Sequence, residues 1–270
     1  MNLKKLILKN NECYKVGTIF EPKGIMLHST GVNNPWLKRY IGPDDGMIGI
    51  NKYNNHWNQY RPDGRQVCVH AFIGKLENGS IAIYQTLPWN MKGWHCGGSA
   101  NNSHIGFEIC EDDLKSKEYF NIVYKNALEL CFYLCEKYNL NETNVICHSE
   151  GFKLGIASNH SDVMHWFPRY GKNMNIFRTE LREMFKKTHV KEFEINSDNF
   201  LVKIEINDLI IRKGPGIDYE STGKYTGIGL FTIKEISTGK GSSLGWGKLK
   251  SNAGWISLDF AKIIPNNIVK

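Results

Sequence analysis

The chain has 270 residues, with 34 Lys and Arg against 27 Asp and Glu, and 41% of its residues are apolar. This length suits one large domain or two smaller ones. The composition excludes a chain that is disordered throughout, because disorder needs low hydrophobicity and a high net charge. The uncharged apolar runs fall far short of the ~20 residues that cross a bilayer, so we expect no membrane insertion.

Short apolar runs alternate with amphipathic patterns along the first two thirds of the chain. In chain order they predict a strand at 24–28, a short helix at 34–40, strands at 67–74, 80–86 and 105–110, a helix at 119–138, a strand at 144–147 and a helix at 173–187. The helix at 119–138 has the clearest apolar stripe. This mixture predicts an α/β domain in which helices cover the faces of one central sheet.

The pattern changes after a charge-rich segment at 187–198. Beyond it, strand-like runs at 200–206, 209–212, 230–236 and 254–258 are separated by Gly and Pro, with little sign of a helix. We therefore predict a first domain at 1–186, a linker at 187–198 and an all-β domain at 199–270. The last of these is the more basic per residue, with ten Lys and Arg and six Asp and Glu. Nucleic acid, anionic lipid and anionic cell-wall polymer fit that charge equally well.

The cysteines and the first residues bear on where the protein is made. Seven cysteines are an odd number and include no CxxC pair, so we expect reduced core residues rather than a disulfide framework. The first residues lack the apolar stretch of ~7–15 residues and the cleavage site of a secretory signal. We therefore expect synthesis in the cytoplasm and, for any task outside, another exit route.

Two histidines occupy similar positions in the sequence. His28 and His148 each follow a predicted strand and precede small polar residues, so neighbouring strands can direct both rings at one ion. Neutral imidazole is the commonest metal ligand, and a catalytic zinc needs three protein ligands and an open position. The candidates for the third ligand lie in the loop after His148: His160, Asp162 and His165.

Glu108 lies among the apolar residues of the strand predicted at 105–110. A carboxylate is costly to bury unless it is paired or functional. The alternation of side chains along a strand allows another interpretation, in which Glu108 faces solvent on the other side of the sheet. Spacing alone leaves both interpretations open.

Several segments, taken in order, resemble the zinc-dependent N-acetylmuramoyl-L-alanine amidase type 2 family, which includes cell-wall amidases and peptidoglycan recognition proteins. The resemblance covers about residues 20–185 and implies a central mixed β-sheet flanked by helices. The segments begin at Gly24 (GIMLHST), Val69 (VHAFI), Ile83 (IYQ), Gly93 (GWHCG), Asn102 (NSHIGFE) and Val145 (VICH).

The resemblance implies one Zn²⁺ per chain, held by His28, His148 and an Asp or Cys that follows. Asp162 fits by type, but it lies fourteen residues after His148 and is not followed by the usual Pro-Gly, so His160 and His165 stay as alternatives.

The resemblance also implies roles around the metal. Glu108 matches the catalytic acid/base of the family. His160 stands two residues before Asp162, where many members have a Lys that stabilises charge in the transition state. His70 and His95 are predicted either to bind substrate along the groove or to make structural hydrogen bonds.

The C-terminal part resembles a bacterial Src-homology-3-like cell-wall-binding domain, a small all-β barrel, over about 200–265. The matching segments are LIIRKGPG at 209–216, GWGKL at 245–249 and GWI at 254–256. An amidase followed by such a domain resembles a phage endolysin of a Gram-positive host, which leaves the cytoplasm through a holin pore and causes host lysis. The expected substrate is peptidoglycan, cut between N-acetylmuramic acid and L-alanine, and anionic wall polymers are an additional expected partner.

Two other classes of function compete with this one. A non-catalytic peptidoglycan-recognition protein would hold the same glycopeptide without cutting it. A nucleic-acid binder is suggested by the net charge alone, and no basic helix, zinc-finger spacing or RNA motif supports it, so we expect no nucleic-acid partner. The C-terminal domain has oligomerisation as its alternative role, and the sequence leaves the oligomeric state open.

Overall fold

A computed structural model describes residues 1–195 and 199–264, with the burial of Asp63 and of residues 186–195 left outside the description. The chain divides into two compact units, Met1–Arg182 and Glu183–Lys270. Among the helices of the described ranges, none combines the length and the apolar character that crossing a bilayer requires.

The elements up to residue 195 are β1 (Leu3–Lys5), α1 (Glu12–Val16), β2 (Gly24–Asn33), β3 (Ala71–Lys75), β4 (Ile81–Gln85), β5 (His104–Glu111), α2 (Lys117–Tyr138), β6 (Val145–Cys147), α3 (His148–Lys153) and α4 (Met174–Ile195). The strands form one sheet in the order β1-β4-β3-β5-β2-β6. β3 and β4 are antiparallel, and the other neighbours are parallel. The predicted α/β class with a central mixed sheet is confirmed.

Strand β2 and helix α2 show why this sequence folds in this way. The first six residues of β2 are buried, as expected for a parallel strand covered on both faces. Ser116 caps α2 by accepting a hydrogen bond from the backbone N–H of Tyr119 at 3.1 Å, and Asn139 ends the helix in the left-handed conformation. The helix buries its apolar stripe, which includes Phe120, Val123, Ala127, Leu130 and Leu134. Each fully buried Val, Leu or Phe side chain contributes about 1.5–3 kcal/mol to the free energy of folding.

Two predicted helices differ from the observed ones. The helix predicted at 34–40 is wrong: β2 continues to Asn33, and a single 3-10 turn follows at Leu37–Arg39. The side chain of Asn34 accepts from the N–H of Trp36 at 3.2 Å, a local bond that competes with helix formation.

Helix α4 continues to Ile195 rather than ending near 187, because good helix formers such as Lys and Glu follow. It thereby covers the first nine residues of the predicted linker, and 196–198 lie outside the described residues.

The second unit carries β7 (Phe200–Ile204), β8 (Ile210–Arg212), β9 (Ser221–Tyr225), β10 (Gly229–Ser237), β11 (Trp246–Leu249), β12 (Trp255–Ser257) and β13 (Ala261–Ile264). They form an antiparallel sheet in the order β13-β7-β10-β11-β12-β8-β9. Its core includes Val202, Ile204, Ile233, Leu249 and Ile256. A small β domain was predicted here, while the Src-homology-3-like identity and the limits 1–186, 187–198 and 199–270 stay predictions.

All seven cysteines are buried and free. This agrees with the expectation that they are reduced core residues. They behave as small apolar side chains in the packing, for example Cys110 among the buried residues around Phe72.

Candidate active site

Three neighbouring parallel strands, β5, β2 and β6, place the side chains of the site at the same height along the sheet. β2 pairs with β5 so that His28 lies beside Glu108, and it pairs with β6 so that Leu27 lies beside Cys147. His148 therefore follows at the level of His28. Because open sheets of this kind bind ligands at the carboxyl ends of their strands, this position is the expected one for a site.

His28, His148 and Asp162 are buried and converge on one point. The Nδ1 atom of His28 lies 3.0 Å from Nδ1 of His148 and 3.1 Å from Oδ2 of Asp162, and the remaining distance, from His148 Nδ1 to Asp162 Oδ2, is 3.5 Å. Two imidazole nitrogens and one carboxylate oxygen are a donor set typical of catalytic zinc. The residues present therefore fit a divalent metal ion.

The charges in this cluster suit metal binding. Burial acts to raise the pKa of Asp162, but the neighbouring rings of His148 and His28 hold it well below its usual range. Burial lowers the pKa of His28, and Asp162 opposes that shift in part. An ionised carboxylate and a neutral imidazole are the forms that bind a metal.

The other two candidates for the third ligand lie elsewhere. His165 donates from Nε2 to Oε1 of Glu111 at 2.9 Å, away from the cluster. The ring of His160 packs beside His148 with centroids 4.8 Å apart, but its side chain is 66% exposed and its Nδ1 lies 3.9 Å from Asp162 Oδ1. The geometry thus favours Asp162 as the third ligand, and His160 stands at the edge of the site.

Glu108 is half-buried at the wall of a cavity of about 1350 Å³ that also exposes the three metal candidates. Its Oε2 atom is buried and has no hydrogen-bond partner among the described residues. Burial, followed by the charges of Asp162 and Glu111, raises the pKa of Glu108 well above its usual value. Glu108 therefore lies on the face of His28, not on an opposite, solvent-facing side of the sheet.

His70 and His95 occupy different positions. His70 is fully buried, donates from Nε2 to the carbonyl of Met91 at 2.8 Å and accepts at Nδ1 from the N–H of Gly106 at 3.0 Å. His95 reaches the cavity wall, with Nδ1 2.9 Å from Nε2 of His28. These bonds favour the structural alternative for His70, and substrate contact by either residue stays a prediction.

The support of His148 was missed by the sequence analysis. Glu150 accepts two hydrogen bonds from Arg178, at 2.9 and 3.0 Å, and one from the N–H of Cys147 at 3.2 Å. These bonds hold the turn from β6 into α3 that presents His148. The signal was present, because Glu150 stands at the third helical position, where a carboxylate caps the backbone.

Glu111 was also missed. Its Oε1 accepts from the N–H of Gly31 at 3.1 Å as well as from His165. These bonds tie the end of β5 to the end of β2 and to the loop after Asp162. The sequence gives no local signal for the contact between Glu111 and His165, because the two residues are 54 positions apart.

Comparison with known proteins points to one family. Residues 20–165 match the sequence profile of a family described as N-acetylmuramoyl-L-alanine amidase. A stretch of 69 residues, 24% of this chain and 22% of the relative, is 41% identical to N-acetylmuramoyl-L-alanine amidase XlyA of Bacillus subtilis. A stretch of 186 residues, 66% of this chain and 18% of the relative, is 25% identical to Protein Ami of Listeria monocytogenes. The chain thus matches about a fifth of the length of each curated relative.

The chain is also similar to several solved structures. The catalytic domain of XlyA is 23% identical, with a TM-score of 0.46 over 67% of this chain and 99% of that one. The hydrolase AmiA of Staphylococcus aureus, solved in complex with its ligand, is 17% identical, with a TM-score of 0.47 over 67% of this chain and 82% of that one.

Proposed function

Since this chain belongs to the N-acetylmuramoyl-L-alanine amidase family, as its sequence resemblance predicted, we propose that it is a zinc-dependent peptidoglycan hydrolase. The bond cut is the amide between the lactyl group of N-acetylmuramic acid and L-alanine of the stem peptide. The observation that carries the proposal is the convergence of His28, His148 and Asp162 beside Glu108 in one cavity.

The proposed chemistry divides between the ion and Glu108. His28, His148 and Asp162 would hold a zinc ion, which when bound polarises a carbonyl group and acidifies water. Glu108 takes the proton of the attacking water and passes it to the leaving amine. Its raised pKa and its Oε2 atom without a partner support this role, because a raised pKa lets a carboxyl group hold a proton more readily than usual.

His160 is proposed to stabilise the oxyanion. Its exposed ring lies at the cavity wall next to His148 and Asp162, where it can donate a hydrogen bond to the oxygen of the tetrahedral intermediate. A donor fixed at such a position typically contributes about 3–4 kcal/mol to the barrier.

The cavity wall also offers positive charge to the substrate. The exposed side chains of Arg65 and Arg169 line it. The stem peptide carries carboxylates, which such side chains attract from solution. This charge supports an anionic substrate without identifying which carboxylate is bound.

The decisive experiment is the analysis of digested wall by mass spectrometry. New L-alanine amino termini and free lactyl-muramic acid ends are expected for the unaltered chain, and Glu108→Gln should reduce their release by a factor of 10²–10⁴. Zinc content by metal analysis is the control, since Glu108 is outside the ligand set. Release at the original rate by Glu108→Gln removes Glu108 from the mechanism. Zinc binding without any product from the unaltered chain supports the recognition-protein alternative.

For the second unit we propose binding to the cell wall, so that the protein acts as an endolysin on peptidoglycan and anionic wall polymers of a Gram-positive host. The basic character of 199–270 supports this proposal. Release from the cytoplasm through a holin pore remains part of the proposal. A chain of residues 1–186 should cleave soluble muropeptide and no longer sediment with isolated walls. Undiminished sedimentation contradicts wall targeting, and a lower oligomeric state in light scattering supports the alternative role in oligomerisation.

A further inference from the structure

Each histidine of the metal cluster is hydrogen-bonded at the ring nitrogen that faces away from the cluster. We propose that His95 and Ser158 are positioning residues that fix His28 and His148 in the tautomer whose Nδ1 is free to bind the ion. This inference rests on the proposed function in one respect, namely that zinc occupies the cluster.

The first chain of hydrogen bonds runs from His28 to a backbone carbonyl. His95 Nε2 lies 3.2 Å from the carbonyl oxygen of His104, which can only accept, so Nε2 of His95 carries the proton. The Nδ1 atom of the neutral ring is then an acceptor, and it lies 2.9 Å from His28 Nε2. His28 must therefore donate from Nε2, which leaves its Nδ1 lone pair directed at His148 and Asp162.

The second chain of hydrogen bonds treats His148 in the same way. The hydroxyl of Ser158 donates its one proton to the carbonyl oxygen of Cys96 at 3.0 Å. Its oxygen is then the acceptor for Nε2 of His148, 3.3 Å away. Nδ1 of His148 is left bare and lies in the cluster.

Both chains end on one short segment, 95–104. Asn101, which is 1% exposed, stabilises it by accepting at Oδ1 from the N–H of His95 at 2.9 Å and of Cys96 at 3.1 Å. The N–H of Ser158 also donates to the Cys96 carbonyl, at 2.8 Å. The two carbonyl acceptors are thus held by the same backbone, so both ligands are oriented by one structural support.

Gly106 gives an independent way to disturb this arrangement. A Cβ atom added at Gly106 would come within 2.5 Å of Cγ and Nδ1 of His95. Gly106→Ala must therefore displace the ring of His95 without replacing any residue whose side chain takes part in the two chains of hydrogen bonds.

The test measures the zinc dissociation constant of the full-length chain by chelator competition. His95→Phe keeps a ring but removes the acceptor, and we expect zinc binding to weaken about 10–100-fold. His95→Asn places an oxygen acceptor at the position of Nδ1 and should recover most of that loss. Ser158→Ala and Gly106→Ala should each weaken binding about tenfold. Ser103→Ala is the matched control and should change binding less than twofold. Ser103 Oγ bonds the side chain of His104 at Nδ1, 2.9 Å away, and only the backbone carbonyl of His104 belongs to the first chain.

A spectroscopic measurement makes the proposal independent of the variants. Nitrogen-15 spectra of the unaltered chain should show the protons of His28 and His148 on Nε2, before and after zinc is added. A proton on Nδ1 of His28 overturns the proposal, as does unweakened zinc binding by both Gly106→Ala and Ser158→Ala. If the unaltered chain has these tautomers and binds zinc but releases no L-alanine termini, the amidase proposal fails while this one stands.

Discussion

Replacement of Glu108 by Gln should stabilise the zinc-free chain while it slows hydrolysis. The Oε2 atom of Glu108 is buried without a partner among the described residues, and Asp162 and Glu111 add negative charge to its surroundings. A buried polar group without a partner costs about 1–3 kcal/mol. Because Gln removes the charge but keeps an amide to be solvated, we expect a gain of about 1–2 kcal/mol in the free energy of unfolding at pH 7. For a unit of this size, that gain raises the Tm by roughly 2–8 °C.

The effect should depend on pH with a definite sign. The pKa of Glu108 is raised in the folded chain above its ordinary value of 4.5, so above that pH the unfolded chain loses its proton first. The ionisable side chain therefore destabilises the fold increasingly as the pH rises from about 4.5 towards the folded pKa. The advantage of Glu108→Gln should be absent near pH 3 and fully present once the pH exceeds the folded pKa.

Glu111→Gln is the matched control three residues further along β5. Glu111 is 4% exposed and its carboxylate is bonded to Gly31 and His165, so its loss should cost about 1–3 kcal/mol. Denaturant unfolding of the full-length chain in excess chelator, from pH 3 to pH 8, measures both variants. A loss of stability in Glu108→Gln at pH 7, or a gain that is the same at pH 3, refutes the reasoning.

Three further perturbations test other parts of the structure. Glu150→Ala removes the partner of Arg178 and should cost about 1–3 kcal/mol in denaturant unfolding and weaken zinc binding through His148; unchanged values in both assays contradict this. Saturating zinc at a thousandfold excess over its Kd should stabilise the chain by about 4 kcal/mol, and Asp162→Asn should lose most of the resulting rise in Tm; equal shifts would exclude Asp162 as a ligand. Ile256→Ala should destabilise the second unit by about 2–5 kcal/mol in calorimetry, and a change in zinc affinity would contradict the separation into units.

The buried strands and the histidines at their ends were predictable from the sequence. The apolar run that ends at His28 indicates a buried strand, and a shorter apolar run precedes His148. Once the two strands are neighbours, the convergence of the two rings follows from register alone. The family resemblance supplied the catalytic role of Glu108 and favoured zinc as the ion.

Other features depended on contacts that the sequence does not encode locally. β1 and β9 are short or largely exposed and carry little apolar alternation, so they gave no strand signal. The choice among His160, Asp162 and His165 depends on the path of a loop, which is set by the tertiary contact between His165 and Glu111. Similarly, His95 and Ser158 acquire their roles from partners 67 and 10 residues away.

The pairing of β2 with β5 and β6 leaves little room for sequence change around His28, whereas the segment that carries Asp162 can vary in length. A shift of one residue in the register between β2 and β5 would turn His28 to the opposite face of the sheet and separate it from Glu108. Asp162 arrives on a loop instead, so insertions and deletions between His148 and Asp162 can be absorbed without moving the ladder. Protein engineers who graft new specificity onto this scaffold should therefore leave the strand lengths untouched and vary that loop only outside Ser158 and His160.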